Sequence, residues 1–134
     1  KGLDWRKYKH TNLITPNIKE AENVLGKKLV NDQDFEKAGE KICSTYNIDA
    51  CLITRGGDGM SFFCKDTTFH LKSNAKEIFD VSGAGDTVIS AMATGLVMNL
   101  TYKQAAEFSN QAAGIVVGHI GTSAITTKEL LNLN

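Results

Sequence analysis

The chain has 134 residues, the length of one domain or of part of one. Lys plus Arg number 15 and Asp plus Glu number 15, so the formal net charge is zero. This balance argues against a nucleic-acid or anionic-membrane partner, since such affinity would come from an excess of basic residues. Apolar residues make up 42% and charged residues 22%, which is typical of a globular protein. No apolar run approaches the roughly 18 residues that cross a membrane.

The cysteines and the first ten residues indicate in which cellular compartment the protein is expected. Cys43, Cys51 and Cys64 are odd in number and form no Cys-x-x-Cys pair, which predicts reduced thiols and not a disulfide framework or a zinc site. The opening segment KGLDWRKYKH lacks the apolar stretch of a secretion signal. We therefore expect a cytoplasmic protein.

The first part of the chain combines an apolar segment with two helical patterns. Leu13–Thr15 is apolar, and the first helical pattern opens at Asn17 and stops at Gly26. A second helix is capped by Asn31 or Asp32.

Strand patterns fill the middle of the chain. Ala50–Thr54 is a short apolar run that leads into a glycine-rich turn at 55–59. Met60–Cys64 and Thr67–Leu71 predict a β-hairpin, and Ile78–Val81 predicts a short extended segment.

Helical patterns dominate the last part. Thr87–Leu100 is small and apolar almost all round, which predicts a helix buried in a larger core. Thr101 and Gln104 form a capping box for a helix through about Val117, and Thr126 caps a short last helix. Alternating strands and helices predict an α/β sheet, whose ligands bind beyond the carboxyl ends of the strands.

The segment 83–87, Gly-Ala-Gly-Asp-Thr, stands at the start of the apolar helix. Small residues there leave backbone N–H groups uncovered, and the helix dipole adds positive potential, so the segment suits an anion. Asp86 would place a carboxylate beside it. Alternatively, Asp86 is only a stabilising first-turn acid and the glycines only permit tight packing. The dinucleotide pattern GxGxxG is disfavoured, because Val88 occupies its third glycine position.

Two further motifs follow strand-like segments. TRGGDG at 54–59 forms either a loop whose backbone can approach a ligand or a simple turn. Asn17 and Glu20 lie one helical turn apart and present the oxygen ligands that a hydrated Mg²⁺ prefers. They are equally a good N-cap and its N3 partner.

The order of these motifs resembles the ribokinase-like sugar kinases of the phosphofructokinase B superfamily. The segments that carry the resemblance are TPNIKE at 15–20, TRGGDG at 54–59, DVSGAGDT at 80–87 and FSNQAAGIVV at 108–117. The opening KGLDWRKYKHTNLITPN and the later GTSAIT are most similar to the heptose-7-phosphate kinase domain of bifunctional ADP-heptose synthases. The resemblance implies a three-layer α/β/α sandwich, with residues 1–134 as its C-terminal, nucleotide-binding half and the sugar-binding residues upstream.

The resemblance also implies an activity. It is the ATP-dependent phosphorylation of a sugar hydroxyl, namely C1 of D-glycero-D-manno-heptose 7-phosphate, to give the 1,7-bisphosphate for ADP-heptose and lipopolysaccharide core synthesis. The full-length protein would be a homo-oligomer and could carry a nucleotidyltransferase domain. The alternatives are another ribokinase-like sugar kinase and a non-catalytic nucleotide-binding domain of the same fold.

Roles for individual residues follow from the same resemblance. Asp86 would be the catalytic base, and Gly83, Ala84 and Gly85 would form the anion hole. Mg²⁺ would be held through water by Asn17 and Glu20. The residues expected to bind ATP are Asn17, Glu20, Thr54, Gly56, Gly59, Ile78, Asn110, Ala113 and Gly114. A monovalent cation such as K⁺ would lie at Asp80, Ser82, Val116, His119 and Gly121, where Ser82 replaces the commoner threonine.

Overall fold

The computed structural model describes residues 4–75, 80–118 and 124–131. The chain forms two compact units, Lys1–His70 and Leu71–Asn134. Among the described residues, no helix combines the length and the apolar character that crossing a membrane requires.

A four-stranded sheet forms the centre of the first unit. Its order along the sheet follows the sequence: β1 (Leu13–Ile14), β2 (Ala50–Thr54), β3 (Met60–Cys64) and β4 (Thr67–Leu71). β1 runs parallel to β2, and β2 runs antiparallel to β3 with Leu52 opposite Phe62. The three predicted strands at 50–54, 60–64 and 67–71 are confirmed with the expected bounds.

Two helices pack with this sheet, and side chains cap both. α1 (Ile18–Leu25) begins after Asn17 and ends at Gly26, which adopts the left-handed conformation with φ 64°. α2 (Asp32–Tyr46) is capped by Asn31, whose side chain accepts a hydrogen bond from the backbone N–H of Asp34. Of the two caps that the sequence allowed for α2, the structure therefore has Asn31.

The core of the first unit lies between α2 and the sheet. Phe35, Ala38 and Ile42 of α2 are buried, as is Trp5 in the short 3₁₀ helix Trp5–Tyr8. The three cysteines are free thiols, and burial raises the pKa of Cys43 to about 11. This thiol therefore stays protonated and unreactive at neutral pH.

Gly39 is the point where α2 comes closest to β3, because a β-carbon there would overlap the Phe63 ring. We expect Gly39→Ala to lower the free energy of unfolding by about 1–3 kcal/mol, the usual range for overpacking. The measurement is chemical denaturation of the protein beside a Gly85→Ala control, since a β-carbon at Gly85 meets nothing within 4 Å. Equal stability of the two variants would show that α2 does not lie this close to β3.

The second unit is helical in the part that the structure describes. It contains α3 (Ala84–Val97), α4 (Tyr102–Val117) and α5 (Thr127–Leu131). α3 packs on α4 at Gly95, where an added β-carbon would lie 2.9 Å from that of Ala105. The predicted capping box of Thr101 with Gln104 is confirmed, and Thr126 caps α5 by accepting from the backbone N–H of Glu129. The predicted extended segment Ile78–Val81 falls partly outside the described residues.

α3 differs from its prediction in its bounds, and one of its sides is exposed in this chain. It starts at Ala84, three residues before the predicted Thr87, and ends at Val97, before the predicted Leu100. Only one side is buried, since Val97 is 83% exposed and Ile89 is also exposed. The prediction concerns burial in a larger core, so the exposed apolar side of α3 in this chain leaves it a prediction. Among the described residues α3 packs on α4, and the buried residues of α3 are Val88, Ala91, Met92 and Gly95.

Candidate active site

Asn17 and Glu20 form a reciprocal capping box at the start of α1. The Asn17 Oδ1 accepts from the Glu20 backbone N–H at 2.8 Å, and the Glu20 Oε2 accepts from the Asn17 backbone N–H at 2.9 Å. The structure thus confirms the capping interpretation. Capping also holds an amide oxygen and a carboxylate in a fixed arrangement at an exposed helix end, so the magnesium role of the pair stays a prediction.

The capping box lies beside the glycine-rich loop. Asn17 forms a parallel β-bridge with Thr54, and the Thr54 backbone N–H donates to Pro16 at 2.9 Å. Both motifs therefore follow the carboxyl ends of the parallel strands β1 and β2, where ligands bind in α/β sheets. The structure places Asn17 beside both Glu20 and Thr54, and their role in nucleotide binding stays a prediction.

The loop itself is a tight exposed turn. Gly56 has φ 61° and Gly59 has φ 96°, both in a region that L side chains rarely adopt. The backbone N–H of Arg55 donates to the carbonyl of Gly59 at 2.8 Å and closes the loop. Gly56, Gly57 and Asp58 are exposed, so their backbone is open to a ligand.

Arg55 belongs to this loop but was not among the predicted site residues. Its Nη1 donates to Asp32 Oδ1 at 2.6 Å and to Ser61 Oγ at 3.2 Å, and its guanidinium lies over the Phe35 ring at 4.3 Å. The hydrogen bond from Arg55 holds the pKa of the Asp32 carboxyl below its ordinary value. The sequence signal was an arginine between a strand and a glycine-rich turn, yet its partners are distant in sequence.

The second cluster of predicted residues lies at the start of α3. Gly83 is the N-cap with φ 79°, and no side chain caps this helix end in the part of the chain described. Asp86 is in the first turn and exposed, beside Gly85. A β-carbon at Gly85 would meet open space, so tight packing does not explain this glycine. The Ala84 backbone N–H donates to the Val81 carbonyl at 3.2 Å, so that donor is already engaged. The helix start presents its dipole, the other backbone N–H groups of the first turn and the Asp86 carboxylate to an anion.

The predicted cation residues are only partly described. The Asp80 Oδ1 accepts from the Ser82 backbone N–H at 2.8 Å, and the Asp80 backbone N–H donates to Val117 at 3.3 Å. This places Asp80 at the end of α4 near Val116. His119 and Gly121 lie outside the described residues, so the cation role stays a prediction.

Two of the predicted adenine residues on α4, Asn110 and Gly114, lie at its contact with the segment after β4. The buried Asn110 donates from Nδ2 to the Lys72 carbonyl at 2.7 Å. A β-carbon at Gly114 would approach the backbone N of Ala75 at 3.2 Å, so the helix lies close to this segment. Ala113 is on the same helix, and Ile78 lies outside the described residues. Asn110 therefore has a structural role in holding this segment, while adenine binding stays a prediction.

Comparison with known proteins decides the family. The profile of the pfkB family of carbohydrate kinases matches residues 6–129. The chain belongs to this family. The resemblance drawn from the motifs is thereby confirmed.

Curated relatives of this pfkB chain share close to half of its residues. It is 46% identical over 133 residues to the bifunctional protein HldE of Actinobacillus succinogenes and 45% identical to that of Pasteurella multocida. Each match covers 98% of this chain and 28% of the relative. The chain thus spans little more than a quarter of the length of these relatives.

Solved structures share the fold. Phosphofructokinase-2 from Escherichia coli in complex with potassium has a TM-score of 0.86 at 19% identity and is matched over 96% of this chain and 41% of its own. Arabidopsis thaliana ribokinase complexed with ribose and ATP has a TM-score of 0.83 at 23% identity, over 91% of this chain and 40% of its own. These likenesses confirm the predicted ribokinase-like α/β fold.

Proposed function

We propose that the protein containing this chain transfers the γ-phosphoryl group of ATP to C1 of D-glycero-D-manno-heptose 7-phosphate, giving the 1,7-bisphosphate. The observation that carries the proposal is the start of α3 in a chain of the pfkB family. Asp86 lies in its first turn, and no side chain among the described residues caps it. The sugar rests on the resemblance of the opening segment and of GTSAIT to heptose-7-phosphate kinase domains. Residues 1–134 would be the nucleotide-binding half of the kinase domain.

Phosphoryl transfer requires mainly positioning and charge stabilisation from the protein. Asp86 would accept the proton of the sugar hydroxyl as the bond to phosphorus forms, a task that an exposed aspartate can perform. The backbone N–H groups of Gly83 and Gly85 would stabilise the negative charge on the transferring group, and that of Ala84 would do so on leaving its hydrogen bond to the Val81 carbonyl. Thr54, Gly56 and Gly59 would contact the nucleotide.

Mg²⁺ fits the Asn17–Glu20 pair by donor chemistry, since the two side chains present amide and carboxylate oxygens held by the capping box. The described residues contain no group of three or more His, Cys, Asp or Glu side chains suited to a metal. An ion bound here would therefore take further ligands from water and phosphate. When bound, Mg²⁺ would neutralise charge on the phosphates of ATP.

A monovalent cation and self-association are further parts of the proposal. K⁺ would lie near Asp80, Ser82, Val116, His119 and Gly121, supported by the potassium complex of Escherichia coli phosphofructokinase-2, a structural neighbour. A tetrameric form of that enzyme supports a homo-oligomer. We propose a cytoplasmic enzyme of lipopolysaccharide core synthesis.

A substrate panel tests the activity. ADP release by the full-length protein is measured with MgATP and heptose 7-phosphate, fructose 6-phosphate or ribose. The proposal predicts the highest kcat/KM with heptose 7-phosphate. A higher value with another sugar would assign the alternative sugar-kinase function, and MgATP binding without turnover of any sugar would assign the non-catalytic one.

Replacement of Glu20 by glutamine tests the magnesium role. Glutamine also serves at N3 of a capping box, so the helix cap is kept while the charge is removed. We expect the Mg²⁺ concentration for half-maximal activity to rise about 10-fold. This is the size of the loss in metal affinity, about 10-fold or more, when a group that contacts the metal through another ligand is replaced. The matched control is Glu22→Gln on the same helix, where Glu22 pairs with Lys28. An unmoved Mg²⁺ requirement in Glu20→Gln would leave Glu20 as a capping residue alone.

A further inference from the structure

We propose that Arg55 is a positioning residue that holds the glycine-rich loop 56–59 in the conformation that receives the nucleotide. This inference rests on the proposed function and adds to it a residue that acts through the loop and not by contact with ATP. Its side chain points away from the exposed turn, since it packs on α2 and β3.

Within the loop, the Gly59 backbone N–H donates to the Gly56 carbonyl at 3.1 Å, but the glycines add no side-chain contact that would hold this short turn. Gly56 and Gly59 adopt positive φ, and Gly56 and Gly57 carry no side chain that could fix the turn. Glycine has the largest backbone freedom to lose on ordering. A ligand that binds this backbone would otherwise have to order it at the cost of affinity.

Arg55 connects both ends of the loop to the rest of the first unit. Its backbone N–H bonds to Gly59, as that of any residue but proline would. The link that depends on arginine is the bond from its Nη1 to Ser61, two residues beyond the loop. Asp32 and Phe35 then attach the same guanidinium to the first turns of α2. Ser61 is itself fixed, because it is buried and its Oγ lies 2.8 Å from His70 Nδ1.

Stability alone is a poor explanation for an arginine at this position. Its side chain is only 15% exposed, and its buried Nε has no hydrogen-bond partner among the described residues. Such a group loses hydration without compensation. The ion pair between Arg55 and Asp32 adds little to the free energy of unfolding, because Asp32 is 59% exposed and its charge is screened by water. A methionine could pack its stem on Phe35 without this cost. The contacts of Arg55 are therefore best explained by the position that they give to the loop.

The test replaces Arg55 by methionine in the full-length protein and measures MgATP binding by calorimetry without sugar. If the variant holds the loop in the competent form about one-tenth of the time, the apparent Kd for MgATP rises about tenfold. We expect the KM for ATP to rise similarly, with the KM for the sugar and the melting temperature little changed. Arg55→Lys, which keeps the charge and one hydrogen bond, should restore part of the affinity.

The matched control is Arg6→Met, since Arg6 is exposed and pairs with Asp4 in the 3₁₀ helix Trp5–Tyr8. It should bind MgATP as the unchanged protein does. Wild-type affinity in Arg55→Met would overturn the inference while leaving the proposed function intact. A similar rise in the KM for ATP and in the KM for the sugar, together with a lower melting temperature, would show a merely structural role. That result would also overturn the inference. If Arg55→Met does not fold, Asp32→Ala removes an exposed partner of the guanidinium instead, and unchanged MgATP affinity there would count against the inference.

Discussion

Asp86→Asn in the full-length protein should lower kcat by about 10²–10⁴-fold, the range for removal of a general base. Asparagine keeps the shape of aspartate but cannot accept the proton of the sugar hydroxyl. The affinity for MgATP should change little, because the backbone N–H groups at the start of α3 remain. The measurements are steady-state ADP release and calorimetric titration with MgATP.

The same substitution separates the two interpretations of Asp86. A first-turn acid stabilises a helix by about 0.3–1 kcal/mol, so a small loss of stability is expected whether or not Asp86 is the base. Only the base role predicts the fall in kcat. Asp66→Asn, in the exposed turn of the β3–β4 hairpin, is the matched control and should keep full activity. A kcat near that of the control would exclude Asp86 as the base.

Gly85→Ala should also lower kcat strongly while leaving the protein folded. The added methyl group meets no protein atom within 4 Å, so it would occupy the space beside the helix start where the transferring phosphoryl group is proposed to lie. Loss of one donor to a developing negative charge costs about 10²–10³ in kcat, and displacement of the anion should approach that range. Alanine is also favoured over glycine within helices by roughly 0.5–1 kcal/mol, so stability should not fall.

Activity and thermal unfolding are measured together for this variant. The control is Ser90→Ala on the exposed surface of the same helix, which should alter neither quantity appreciably. Unchanged kcat in Gly85→Ala would place the transferring group elsewhere.

The caps and the hairpin could be predicted because their signals are local. Asn17 with Glu20 and Thr101 with Gln104 are pairs three residues apart, and the structure has both capping boxes. The hairpin of β3 and β4 follows from two apolar runs around Lys65-Asp66. In each case the residues that decide the conformation lie within one turn of one another.

The exact start of α3 and the side that it buries in this chain could not be predicted in this way. Ala84 and Gly85 carry no side chain large enough to show helical periodicity, so the apolar pattern marks the helix only from Thr87, although the segment 83–87 was expected at its start. The positive φ of Gly83, which turns the chain into the helix, leaves no other mark in the sequence. Small residues also conceal which side of α3 faces α4, and that side depends on contacts with residues such as Ala105.

In the candidate site, too, some features could be predicted from the sequence and others could not. The neighbouring positions of Asn17 and Thr54 follow from parallel strands, whose carboxyl ends share one edge of a sheet. The role of Arg55 was not visible, since its partner Asp32 lies 23 residues away. The catalytic, nucleotide and cation roles remain predictions that rest on the family and on the geometry of each cluster.

The most direct test of the account is ³¹P NMR of the reaction of the full-length protein with MgATP and D-glycero-D-manno-heptose 7-phosphate. The account predicts one ADP for each new sugar phosphate, whose resonance is coupled to the anomeric proton and therefore identifies C1 as the acceptor. Formation of ADP and inorganic phosphate without a phosphorylated sugar, or no turnover of ATP, would contradict it.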